Sequence, residues 1–319
     1  MKLLKEDIQT MLTNYDIGEL INYTLLLEGT VQFNLKLNTT NGTFILKYYI
    51  NRNYEEVLFE YSLIHYLVEN NFPTASIVSS ENKSLQKHKG HPYIIFKYIE
   101  GEHIINPSKK HIQQVIKKMG LLHELTESVE FKHVKNRLTY TPHEISTLVK
   151  EKVNTINTEN AKKKYSWWLK EFEKLILPDE MRRSICHTDY NPLNIFFIKD
   201  EFEALIDFDD ANYTYRCYDV VSFINFFEPS FNHNNWKDFE KEDILNLTDA
   251  KDYIRLYDKL FGINEVDKVH LYDLLKFITL IDCLWYFERG EYYDFYERRK
   301  IESLNLLGRE AFYSKLFKE

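Results

Sequence analysis

An α+β architecture in two lobes, a small antiparallel-sheet N-lobe and a mainly helical C-lobe, is what this 319-residue sequence predicts. Three observations carry the prediction. Up to residue 97 the apolar residues fall in short β-branched and aromatic runs, as in Thr43-Phe44-Ile45-Leu46-Lys47-Tyr48-Tyr49. Beyond it they recur at helical spacing over longer stretches. Inside that helical part sits one polar motif, His187-Thr188-Asp189-Tyr190-Asn191-Pro192-Leu193-Asn194, followed by a short hairpin and Asp207.

The elements follow in order. Asp7 to Thr13 reads as a helix. Leu25 to Leu37 reads as two strands around a turn holding Gly29, and Thr43 to Tyr49 as a third strand. Tyr54 to Val68 has helical spacing through Val57, Leu63, Ile64 and Leu67. His91 to Ile99 is an apolar strand ending in Glu100-Gly101. Helices are expected at Ser108 to Thr126, Pro142 to Asn154, Ala161 to Leu175, Asp219 to Phe227, Ala250 to Leu260 and Val266 to Glu288. Pro107, Pro142, Pro178 and Pro229 mark breaks or starts. The expected division is an N-terminal lobe of residues 1–97 and a C-terminal lobe of residues 98–319.

The polar motif has the spacing H-x-D-x-x-x-x-N, the layout of a kinase catalytic loop, and a metal-binding Asp follows it. An alcohol attacking the γ-phosphate of ATP must lose a proton and be held in line. Asp189 is the candidate base for both tasks. Mg²⁺ prefers hard oxygen ligands, and Asn194 and Asp207 supply an amide oxygen and a carboxylate. Ile195 to Ile198, a turn at Lys199-Asp200-Glu201 and a returning strand to Ile206 would bring Asp207 back beside Asn194. His187 is read as a structural residue that bonds backbone carbonyls. Single Asp and Asn residues are common at turns; four in fixed order with apolar strands between them are not.

Lys47 is out of place inside an apolar strand unless it has a partner. ATP phosphates and a helix Glu would provide one, with Glu60 favoured over Glu56 because it lies among apolar residues. The turn with Gly29 would cover the phosphates with a single glycine's freedom. Backbone groups of Lys97 and Ile99 would serve an adenine edge, although the first half of that strand also reads as plain core.

On these residues the chain resembles the aminoglycoside phosphotransferase and choline kinase family of small-molecule kinases. The likeness also includes Ile206-Asp207-Phe208-Asp209-Asp210-Ala211, Tyr218-Asp219-Val220 and Met119-Gly120-Leu121-Leu122-His123-Glu124-Leu125. It implies a bilobal protein-kinase-like fold, with ATP and Mg²⁺ as cofactors. By resemblance Asp189 is the base, Asn194 and Asp207 hold Mg²⁺, Lys47 holds the phosphates, Lys97 and Ile99 form the hinge, and Asp219 braces the catalytic loop. Phe-Asp after Asp207, where protein kinases have Phe-Gly, argues for a small-molecule acceptor. Two rivals stay open: a nucleotide-binding module without turnover, and a kinase acting on protein side chains.

Composition narrows the partners. A net charge of −8 argues against nucleic acid. No apolar run is long enough for a membrane helix, and the charged start is not a signal peptide. Cys186, Cys217 and Cys283 lack metal spacing and read as reduced, buried thiols of a cytoplasmic protein; a monomer or dimer is expected. Residues 201–230 carry seven acids against Arg216 alone. Asp209, Asp210 and Glu228 hint at a cationic, amine-containing acceptor of the aminoglycoside, homoserine or choline type. A solvated acidic surface explains them equally well. The aromatic, acidic stretch Leu284 to Glu297 is read as packing rather than as a substrate wall, and Asn232 to Trp236 as a loop.

Overall fold

The computed structural model describes residues 3–26, 32–227, 244–288 and 296–318. Gly29, Glu228, Asn232 to Trp236 and residues 289–295 therefore lie outside the described residues. The chain forms two compact units: Met1–Asn106 with Val129–Arg137 and Pro192–Ala211, and Pro107–Ser128 with Leu138–Asn191 and Asn212–Glu319.

The first unit opens with helix α1 (Lys5–Leu12) and strands β1 (Leu20–Leu26), β2 (Phe33–Thr39) and β3 (Gly42–Tyr48). Helix α2 (Tyr54–Glu69) and strands β4 (Gln86–His88) and β5 (His91–Lys97) complete an antiparallel sheet of order β1-β2-β3-β5-β4. Side chains alternate across a strand. Leu35, Leu37, Leu46, Tyr48, Tyr93 and Ile95 point to one face and pack with Ile8, Met11 and Leu12 of α1. Asn34, Lys36, Ile45, Lys47 and Phe96 are left on the other face and line a cavity. The register pairs Asn34 with Lys47 and Ile45 with Phe96, so period two alone carries Lys47 to that face. Asn53 caps α2 by accepting the Glu56 amide, and the Glu56 carboxylate accepts the Asn53 amide in return. Glu56 is consumed by this box; Glu60, one turn on, is not.

The second unit begins with α3 (Lys109–Thr126), α4 (Pro142–Ile156), α5 (Glu159–Phe172) and strand β6 (Arg183–Cys186). In α3, Gly120 lets Phe261 approach so closely that a Cβ would lie 2.1 Å from its ring. The chain then returns to the first unit as a hairpin, β7 (Ile195–Ile198) and β8 (Glu201–Leu205). Its two-residue turn holds Lys199 and Asp200 at φ +48° and +65°, the mirror-image geometry that suits strand twist. Back in the second unit, β9 (Asn212–Tyr215) pairs with β6. Helices α6 (Cys217–Ser222), α7 (Leu247–Phe261), α8 (Glu265–Val269), α9 (Leu271–Asp282) and α10 (Tyr296–Phe317) follow.

Two expectations need correction. The helix expected over Val266 to Glu288 breaks at His270, whose φ −110° and ψ 6° leave the helical region. The helix expected over Asp219 to Phe227 tightens to a 3₁₀ turn after Ser222. Helix α10 went unread, and Gly308 interrupts it at φ +74°. No helix among the described residues is long and apolar enough to cross a membrane.

Candidate active site

In the first unit the Lys47 ammonium lies 2.6 Å from Asp207, 3.3 Å from Glu60 and 3.9 Å from Asp209. Burial by itself would lower the Lys47 pKa, but the carboxylates of Asp207, Glu60 and Asp209 outweigh it and hold the ammonium charged. Three acids share one cation, and Glu60 is the deepest of them. Burial pushes its carboxyl up to about 7 against the pull of Lys47, with Asp209 and Asp207 adding to the rise.

That value gives a sign for pH. Glu60 titrates near 7 in the fold against an ordinary 4.5, so the folded state holds the proton through that window. Stability should fall as pH rises from 4.5 to 7. Glu60→Gln should flatten the fall by roughly 1–3 kcal/mol, read from urea midpoints across this range. An unchanged slope would remove Glu60 as its source.

Asn194 and Asp207 are brought together by the hairpin. The Ile206 amide donates to the Asn194 carbonyl at 2.9 Å, which sets Asp207 beside Asn194. Asp207 itself sits in the left-handed region at φ +66° and ψ +60°. Lys47, Glu60, Asn194, Asp207, Lys97 and Ile99 all line one cavity of about 410 Å³. At its edge the Lys97 amide donates to Ser76. Gly101 follows, where a Cβ would lie 3.0 Å from the Phe197 carbonyl. Glu102 and Phe197 then exchange two backbone hydrogen bonds of 3.0 Å, tying this segment to β7. Gly29 lies outside the described residues.

Asp209 and Asp210 are already paired. Arg52 donates to the Asp209 carboxylate at 3.2 Å and to that of Asp210 at 2.5 Å, while Gln32 reaches Asp209 at 3.4 Å. Arg137 donates to the Asp209 carbonyl. Arg52 thus meets both acids inside the first unit. Sequence reading missed Arg52 because its only signal is a lone cation just before the α2 cap, with its acids far along the chain.

In the second unit the loop after β6 holds Asp189, which is exposed. Asp219, fully buried, accepts the amides of His187 at 2.8 Å and Thr188 at 2.9 Å, and the imidazole of His123 at 3.0 Å. Thr188 is β-branched yet adopts φ +67°, a strained conformation that persists only where the surroundings over-determine it. His187 is buried, and its Nδ1 accepts the Asp189 amide at 3.3 Å, which ties the ring to the loop. Asn191 donates to the Asp189 carboxylate at 3.1 Å.

The cysteines are buried thiols, all pushed up by burial. Cys186 stands close to His123 and Asp219 in a grouping compact enough for a metal. Its thiol donates to the Tyr215 carbonyl at 3.3 Å, and both His123 nitrogens are bonded, so the grouping reads as a brace.

Comparison with known proteins places the chain in a family. Residues 24–247 match the model of the phosphotransferase enzyme family. Homoserine kinase of Sinorhizobium medicae is 25% identical over 272 residues, covering 81% of this chain and 76% of that one. Homoserine kinase of Bartonella tribocorum is 27% identical over 241 residues, 72% of each chain. Among solved structures, an amicoumacin kinase in complex with AMP-PNP and Ca²⁺ superposes with a TM-score of 0.70 at 13% identity, covering 96% of this chain and 95% of its own. A microcompartment-associated aminopropanol kinase gives 0.60 at 14% identity, covering 93% of each. The matched segment holds every residue of both clusters from Gln32 to Asp219, and the chain belongs to the phosphotransferase enzyme family, as a small-molecule kinase with the protein-kinase-like fold.

Proposed function

We propose that the chain transfers the γ-phosphate of ATP, with Mg²⁺, to the hydroxyl of a small amine-containing alcohol of the homoserine type. One observation supports this above the others: the strand Lys, its helix Glu, Asn194, Asp207 and the hinge residues Lys97 and Ile99 line a single cavity. The homoserine kinases matched over most of this chain favour that acceptor class.

Lys47, kept charged by its carboxylates, would hold the α- and β-phosphates, and Glu60 would fix its direction. The hinge would offer the Lys97 carbonyl and the Ile99 amide to an adenine edge, since the Lys97 amide is taken by Ser76. Asn194 and Asp207 present the hard oxygen donors that Mg²⁺ prefers, and the ion when bound neutralises phosphate charge. Asp189 would accept the hydroxyl proton as the acceptor oxygen bonds to the γ-phosphorus. The bond from that phosphorus to its bridging oxygen breaks, and ADP leaves. Residues 1–97 would thus supply most of the ATP-binding lobe, with Ile99, Asn194 and Asp207 lining the same cavity from beyond it, and residues 98–319 would supply the base, the metal ligands and the acceptor site.

ADP release with ATP and Mg²⁺ across homoserine, choline, 1-amino-2-propanol and an aminoglycoside tests this. Turnover with one of the small amino alcohols is expected. Binding of ATP without turnover on any of them would count against the proposed acceptor class.

A further inference from the structure

We propose that Tyr257 is a positioning residue for the catalytic loop, acting through His123 and Asp219; the inference rests on reading Asp189 as the base. Tyr257 lies on α7, past residue 247 where the family match ends, so family membership assigns it nothing.

Arg216, Tyr257, His123 and Asp219 form a buried chain of hydrogen bonds whose direction is fixed at one end. The Arg216 guanidinium can only donate. Its Nε lies 3.0 Å from the Tyr257 hydroxyl, so that oxygen accepts. The tyrosine hydrogen then points to His123 Nδ1, 2.8 Å away. A nitrogen that accepts carries no proton, so the proton of a neutral His123 sits on Nε2, facing Asp219 at 3.0 Å. An imidazolium would leave the Tyr257 hydrogen without an acceptor among the described residues, in a side chain with no exposure. The Arg216 charge is met by Glu127 at 2.5 Å, and Arg182 holds Glu127 through two nitrogens.

At the other end, Asp219 holds the amides of His187 and Thr188, the strained residue next to Asp189. Asp219 can only accept, so the proton stays on Nε2 without Tyr257. Removing the Tyr257 hydroxyl instead leaves Nδ1 buried without its donor and ends the polarisation that strengthens the Nε2–H bond to Asp219. The imidazole is then held at one end only, and the aspartate's grip on the loop loosens.

The test uses the full chain and Tyr257→Phe. Long-range ¹⁵N–¹H spectra of labelled histidine report the His123 tautomer, and amide exchange reports His187 and Thr188. Wild type is expected to show the Nε2–H tautomer. The variant is expected to keep that tautomer with the Nδ1 resonance shifted by the lost hydrogen bond, to exchange at 187 and 188 about tenfold faster, and to lose roughly tenfold in kcat with the KM for ATP unchanged. A wild-type His123 that is an imidazolium or carries its proton on Nδ1 would overturn the proposal without any variant. So would a variant that melts lower but keeps wild-type exchange and kcat, since that is packing alone. If Asp189→Asn retained turnover, the base assignment would fail while the exchange data still judged Tyr257.

Discussion

Asp189→Asn is expected to lower kcat by roughly 10²–10⁴ while leaving the KM for ATP nearly unchanged. The substitution keeps shape and removes only the ability to take a proton. Its neighbours should stay in place. Asp219 holds the two preceding amides, and the Asp189 amide donates to His187, which is fully buried. The cavity that would hold ATP is lined entirely by residues of the first unit, so its affinity should not feel the change. Steady-state kinetics with varied ATP at saturating acceptor checks both halves. A variant that loses ATP affinity along with kcat would show that Asp189 does something other than proton removal.

Lys47→Met is expected to abolish turnover and to destabilise the protein in a pH-dependent way. Methionine fills a similar volume but leaves Glu60, Asp207 and Asp209 without their shared cation. Asp209 keeps Arg52, and Asp207 is 43% exposed, so both have other ways to stay charged. Glu60 is 1% exposed at its side chain and has neither. Its carboxyl, already near 7, must rise further without Lys47. At pH 6 Glu60 is then protonated and the cost is small. At pH 8 it must either stay charged and unpaired or take up a proton, and the loss should approach roughly 3 kcal/mol, the low end for breaking a buried pair. Urea unfolding at the two pH values measures the difference. Equal losses at both would mean that the methylene stem of Lys47, and not its charge, is what the fold needs.

Much of the site was legible because its residues are close in sequence or fixed by simple periodicity. The H-x-D-x-x-x-x-N spacing and the hairpin that returns Asp207 to Asn194 are local, and strands of four and five residues leave little freedom in where they end. Lys47 was legible as an anomaly, a cation in an apolar strand, and the capping box on Asn53 explains why Glu60 and not Glu56 meets it. What stayed hidden depends on contacts distant in sequence. Arg52 reaches Asp209 across 157 positions and His123 reaches Tyr257 across 134, and no local pattern marks either pair. The break at His270 was missed because apolar spacing runs on through one non-helical residue.

Phosphorus-31 NMR of a reaction holding ATP, Mg²⁺ and homoserine, run with wild type and with Asp189→Asn, tests the central claim most directly. Wild type is expected to build a phosphomonoester resonance in step with ADP, and the variant to leave ATP intact on the same timescale. A phosphomonoester formed equally by both proteins, or ADP and free phosphate with no phosphomonoester from wild type, would contradict it.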